Sequence, residues 1–158
     1  MLFVCDAMLG GLSRWLRAAG YDARFEHGID DGALVELAER TGATLLSSDR
    51  PLFDRTKVRD GHVRALFVPR HRPVLEQAAF VLRALSLPVR DARCMGCGGE
   101  LVALDAAAAS PLVPPRTRAS CDEFWRCDRC AHLYWHGTHW SKIEARRDEL
   151  REAVAQGS

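Results

Sequence analysis

Two CxxC pairs, CMGC (94–97) and CDRC (127–130), constrain this chain more than any other feature. Four thiolates at this spacing can close on one tetrahedral metal ion, so two turns far apart in the chain must meet at a point. Four sulfurs leave zinc no open coordination position, so Cys94, Cys97, Cys127 and Cys130 predict a structural Zn²⁺ rather than a catalytic one. The stretch between the pairs, 98–126, is longer than usual, and its run of alanines followed by SPLVPPR (110–116) reads as an inserted loop that accounts for the excess. Disulfides or spare thiols are the alternative. They suit an oxidising compartment, and the sequence points elsewhere. No apolar run reaches the roughly 18 residues of a membrane span. Asp6 interrupts the N-terminal MLFVCDAML too early for a signal peptide. The expected location is cytoplasmic, with no membrane contact. Cys121 reads as a packed thiol, its alternative being a substitute ligand. His132 would ligate only if a cysteine defaulted, and Cys5 reads as a core residue.

Upstream of the cysteines, short apolar runs alternate with helical patterns. LFVC (2–5), ARFE (23–26), ATLLSS (43–48) and ALFVP (65–69) read as strands. Helices are expected over 12–19, 32–41 and 73–85, where apolar residues recur at three- and four-residue steps. Strands alternating with helices predict an α/β fold, a parallel sheet sandwiched by helices. The chain divides into an α/β domain over 1–90 and a cysteine module over 91–158, whose charged tail KIEARRDELREAVA predicts a terminal helix.

In a parallel sheet, sites form beyond the carboxyl ends of the strands. Asp6 ends the first strand, Asp49 ends the third, and Asp30 and Asp31 precede the second helix. All of them therefore fall on one edge. Carboxylates crowded together repel one another unless a cation neutralises them. Mg²⁺ or Mn²⁺ suits such a site, because these hard ions bind a few carboxylates and keep waters that a phosphate can displace. The chemistry that follows is metal-assisted phosphodiester hydrolysis. Each acid also has a structural alternative: Asp30 or Asp31 as a helix cap and Asp49 as a turn residue. Asp6, abutting a buried strand, needs a partner in either case. Global charge is silent on the substrate, since 22 Lys+Arg against 21 Asp+Glu leaves +1. Only Lys57 and Lys142 are lysines, and arginine grips phosphate bidentately, which would suit an RNA partner if it is more than compositional bias.

DAMLGGLSRWLRAAGYD (6–22), DDGALVELA (30–38), LLSSDRPL (45–52), the paired CxxC motifs and YWHGTHW (134–140) together resemble the Mut-seven C-terminal RNase family, a PIN-like nuclease domain with a C-terminal zinc ribbon. The resemblance implies a PIN-type fold and a Mg²⁺- or Mn²⁺-dependent ribonuclease, read here as endonucleolytic. It places Asp6 as the first-strand acid, and Asp31 as the acid opening the second helix with Asp30 as its understudy. Asp49 becomes the aspartate of a Thr-x-Asp signature in which Ser47 holds the threonine position. Asp54 is the nearest candidate for a fourth acid. Arg14 and Arg17, three apart on the first helix, are candidates to meet an RNA backbone, the alternative being an ordinary solvated face. His139 matches the histidine of the family's motif. The aromatics around it either stack bases or pack the ribbon onto the nuclease domain. The competing reading is a non-catalytic RNA- or protein-binding zinc-ribbon adaptor with a degenerate nuclease site. A nuclease held in check by a protein inhibitor is a further alternative.

Overall fold

A computed structural model describes residues 1–156 and shows why β1 (Leu2–Cys5) needs no polar position. This strand and strand β3 (Thr44–Ser47) sit at the centre of a four-stranded parallel sheet of order β2-β1-β3-β4, with β2 at Asp22–Phe25 and β4 at Ala65–Phe67. Successive side chains point to opposite faces. Phe3, Cys5 and Leu46 pack against helices α1 (Gly10–Ala18) and α5 (Val74–Ala84). Val4 and Leu45 pack under α2 (Asp31–Thr41) on the other face. The sheet flanked by helices that the sequence predicts is therefore present, built on two apolar cores. Burial, with a contribution from Asp6, pushes the Cys5 thiol up to about 12, as suits a residue that serves only as packing. Between β3 and β4 the chain forms two single turns that the sequence reading passed over, α3 (Arg50–Phe53) and α4 (Thr56–Arg59).

The cysteine module is a three-stranded antiparallel sheet of order β5-β6-β7, with β5 at Leu101–Leu104, β6 at Phe124–Cys127 and β7 at Leu133–Trp135. Its two knuckles bring four sulfurs within 4.8 Å of one another. Cys94 and Cys130 are 3.6 Å apart and Cys97 and Cys127 3.4 Å apart. Zn–S bonds of about 2.3 Å in a tetrahedron require sulfurs roughly 3.8 Å apart, so the four thiols can hold one zinc ion. The knuckles share a backbone device. Gly98 and Ala131 each follow the second cysteine of their pair and adopt φ of +81° and +59°. Backbone N–H groups of Gly99, Arg129 and Cys130 donate to the sulfurs of Cys97 and Cys127 at 3.4 Å. Burial opposes charge on Cys94, but hydrogen bonds led by that from the Tyr134 hydroxyl at 3.2 Å bring its thiol down to about 6.

The expected loop between the cysteine pairs is folded instead. It carries α6 (Ala106–Ala109), a 3₁₀ turn at Ser110–Leu112 and α7 (Pro115–Ser120). Alanine is the strongest helix former, and a side-chain oxygen ahead of the run satisfies a free backbone donor. Asp105 provides that cap, accepting from Ala108 N at 2.7 Å. Ala109 and Val113 are then buried against Cys121 and Phe124, so the insertion closes one face of the ribbon. Helix α8 (Thr138–Ala155) starts inside the aromatic motif and carries the chain back to the first core, where Leu150 is fully buried.

Arg17 joins the two modules. It is 7% exposed. Its Nε donates to the Ala23 carbonyl at 2.7 Å, and its Nη1 donates to the carbonyls of Met95 and Gly96 at 3.0 and 2.7 Å. Arg129 pairs with Asp22 at 2.9 Å and also donates to Cys97 O at 2.8 Å. The first knuckle is thus held against α1 and β2. Hydrogen bonds from charged donors contribute roughly 1.5–3 kcal/mol each, and the three carbonyls would be left without this donor if it were removed. Arg17→Ala is expected to lower unfolding free energy by about 3 kcal/mol or more in urea titrations, and Arg17→Lys to recover only part of the loss, since an ammonium lacks the planar fork.

Candidate active site

Asp6 continues the β1 ladder, its N–H donating to Leu46 O at 3.0 Å, and so delivers its carboxylate to the carboxyl edge of the sheet. The residue is 6% exposed. A buried charge of this kind persists only if its oxygens are hydrogen-bonded. Oδ1 accepts from Met8 N at 2.8 Å. Oδ2 accepts from Ser47 Oγ at 2.5 Å and from Ser48 N at 2.9 Å. Ser47, fully buried, uses its hydroxyl twice, since Oγ also accepts from Asp49 N at 2.9 Å. Ser48 Oγ donates to Val68 O at 2.8 Å, which carries the network to the end of β4. One chain of hydrogen bonds therefore ties the ends of β1, β3 and β4 together.

Asp6, Asp31 and Asp49 line one cleft of about 240 Å³, together with Ser48, Arg70 and the apolar Ala7, Met8 and Ile29. The three carboxylates come from three different elements and border one cleft because the strands are parallel. Asp31 opens α2, and Arg55 lies 3.6 Å from it. Asp30 turns away and caps the helix, accepting from Gly32 N at 2.8 Å and Ala33 N at 3.0 Å. The step from Asp30 to its neighbour Asp31 thus separates a cap from a cleft acid. Asp54 closes α3 as its C-terminal cap and does not line this cleft. All the anionic donors are carboxylate oxygens, which fits a hard divalent ion such as Mg²⁺ or Mn²⁺, and the remaining space admits waters or a phosphate.

The two arginines of α1 part company. Arg14 is exposed and lines a second, larger cleft of about 640 Å³ with His139, Phe25, Tyr134 and Trp135. Arg17 borders the same cleft but is buried, with its Nε and Nη1 committed to carbonyls as described above. The aromatic motif divides in the same way. Trp140 is 6% exposed and packs the ribbon against Ala18 and Met95, its Nε1 donating to Glu144 at 3.1 Å. Tyr134 and Trp135 remain half-buried and face the cleft. His136 pairs with the same Glu144 at 3.1 Å. Ser48 and Arg70 were missed as cleft residues. Both lie just past the ends of β3 and β4, where the edge rule for parallel sheets could have found them.

The Mut7-C RNAse domain family model matches residues 1–147. A human protein named exonuclease mut-7 homolog is 28% identical over 159 residues, an alignment that takes in 96% of this chain and 16% of that protein. The chain thus spans a small part of the length of the relative it matches. No solved structure matches it. With a family match running through the acid cleft, the ribbon and most of α8, the chain belongs to the Mut7-C RNAse domain family.

Proposed function

We propose that this chain is a divalent-metal-dependent ribonuclease that hydrolyses RNA phosphodiester bonds endonucleolytically. The observation that supports it is the convergence of Asp6, Asp31 and Asp49 on one cleft, with Asp6 held by three donors. Mg²⁺ or Mn²⁺ bound there would activate a water and stabilise charge on the attacking and leaving oxygens. Asp6 would be the fixed ligand, because its network leaves it one orientation. Asp49, exposed but tied through its own N–H to Ser47, would be the second. Asp31 would exchange its Arg55 partner for the ion, at small cost since both groups are at the surface. The name of the human relative describes an exonuclease. The acid cleft of this chain shares Ser48 and Arg70 with a neighbouring one, which supports a strand lying across the site and cleavage away from its ends.

A circular single-stranded RNA separates the modes, since only an endonuclease can open it. The purified protein is expected to linearise it with Mn²⁺ and not without. Asp6→Asn and Asp49→Asn should each lower kcat/KM by more than the roughly 100-fold that outer-shell changes reach at metal sites. Cleavage of linear RNA alone would assign the exonucleolytic mode. Binding with no cleavage of either RNA would assign the adaptor role.

The four cysteines we assign to one structural zinc ion. Elemental analysis should find about one zinc per chain, and Cys127→Ser should unfold the ribbon, because ligand geometry and folding free energy are linked at such sites. A metal-free protein with the ribbon intact would contradict the assignment.

A further inference from the structure

The strand order β2-β1-β3-β4 sets three clefts in sequence along the carboxyl edge of the sheet. At the β2 end lies the aromatic cleft, to which Phe25 contributes from the last position of that strand. The acids of β1 and β3 follow. At the β4 end, Arg50, Phe67, Arg70 and His71 line a third cleft of about 510 Å³. The structure assigns this edge to an unpaired RNA strand, with a base seated in the aromatic cleft, the scissile phosphate at the carboxylates and a neighbouring phosphate in the arginine cleft. The assignment rests on the ribonuclease reading and adds to it the residues on either side of the acids that position the strand.

Charge and continuity argue for it. Three carboxylates repel a phosphodiester. Arg70 is the one cation that lines their cleft among the described residues. Arg70 also lines the third cleft, as does Ser48, so the two clefts are neighbours that share these residues. Among the described residues neither Arg50 nor Arg70 forms an ion pair with a carboxylate, whereas Arg55, Arg59, Arg93 and Arg129 all do. Local contacts hold the Arg50 side chain and the backbone that carries Arg70. The Arg50 guanidinium lies 4.9 Å over the Phe67 ring. The turn carrying Arg70 is pinned from beneath by Gln77, itself 8% exposed, whose Nε2 donates to Arg72 O at 2.8 Å and to Arg70 O at 3.4 Å. The Arg50 guanidinium, held this way, loses little freedom when it takes up phosphate.

The aromatic side is equally close. Met8 lines the acid cleft and Gly10 the aromatic one. Consecutive Cα atoms are about 3.8 Å apart, so roughly 8 Å of backbone at most separates the two clefts there. Gly10 lets Phe25 approach, for a Cβ there would lie 2.8 Å from the ring. The exposed Arg14 and His139 edge the cleft. An aromatic slot takes a base by its face, which favours an unpaired strand and tolerates any base. A duplex keeps its faces stacked, so single-strandedness becomes the specificity.

Fluorescence anisotropy of an end-labelled single-stranded RNA on Asp49→Asn protein, which carries its change at an exposed position, tests the assignment. Arg50→Ala and Arg70→Ala should each weaken binding and flatten the slope of log Kd against log salt by about 0.7. Trp135→Leu should weaken binding roughly 5- to 100-fold with the slope unchanged, as loss of one stacked base predicts. Trp135→Phe should bind nearly as wild type, which separates stacking from misfolding of the ribbon. Arg40→Ala, at the far end of α2, serves as the control and should change neither quantity. Duplex RNA of the same sequence should bind more weakly. Unchanged salt slopes in Arg50→Ala and Arg70→Ala, losses confined to one end of the edge, or equal affinity for duplex would overturn the track. If wild-type protein cleaves RNA with Mn²⁺ while these variants bind normally, the track alone fails. If the variants lose binding but wild type never cleaves, the ribonuclease reading fails and the track stands as a binding site.

Discussion

The hydrogen bond from Ser47 to Asp6 is the interaction on which the arrangement of the site depends. β1 carries nothing polar before Asp6, so the first charged side chain arrives at the sheet edge with almost no access to water. Ser47 Oγ meets it at 2.5 Å and also accepts from Asp49 N at 2.9 Å. A single hydroxyl therefore supplies one of the three donors to a buried carboxylate and also accepts from the backbone of the second acid. This gives the Ser47-x-Asp49 spacing its physical meaning. The hydroxyl must sit inward at the last strand position, the next residue supplies its N–H to Asp6, and the aspartate after that turns out into the cleft. A serine or a threonine hydroxyl at that position would satisfy the first demand.

The ribbon is coupled to the parallel sheet and α1 by polar contacts as well as apolar ones. Arg17 leaves α1 and ends on the carbonyls of the first cysteine knuckle, while Arg129 leaves the second knuckle and ends on Asp22 at the start of β2. The cysteine tetrad would hold both knuckles in one geometry, so the partners of both arginines would be fixed through it. Trp140 then packs between ribbon and α1, and the aromatic cleft exists because these contacts stop short of closing it. Helix α8 adds a second tether, with Arg83 Nη1 donating to Ala153 O at 2.9 Å and Arg147 Nη2 to Arg90 O at 2.7 Å.

What the sequence discloses follows from the range of the interactions. Short strand-forming apolar runs, helices with regular apolar stripes and cysteine pairs with ligand spacing are local patterns. They appear close to where the sequence places them, although α8 starts earlier than its charged tail suggests. The convergence of Asp6, Asp31 and Asp49 also follows, because parallel strands put their ends on one edge. Arg17 illustrates what stays hidden. Spacing alone puts it beside Arg14 on a polar face, but its Met95 partner lies 78 residues away. The choice between Asp30 and Asp31 turns on which one caps α2, a matter of one residue's backbone angles. The insertion reads as a loop because its prolines suggest one. Burial of Ala109 and Val113 against Phe124, a contact distant in sequence, favours short helices instead.

The account turns on whether the network centred on Asp6 organises a site for a divalent ion. Titration of Mn²⁺ into the zinc-loaded protein, with free ion followed by electron paramagnetic resonance, measures that directly. Asp6→Asn should abolish the tightest binding. Ser47→Ala should weaken it by the roughly 10- to 100-fold typical of lost outer-shell support, and Asp54→Asn should leave it unchanged. Mn²⁺ binding that is equal in wild type and all three variants would contradict the account.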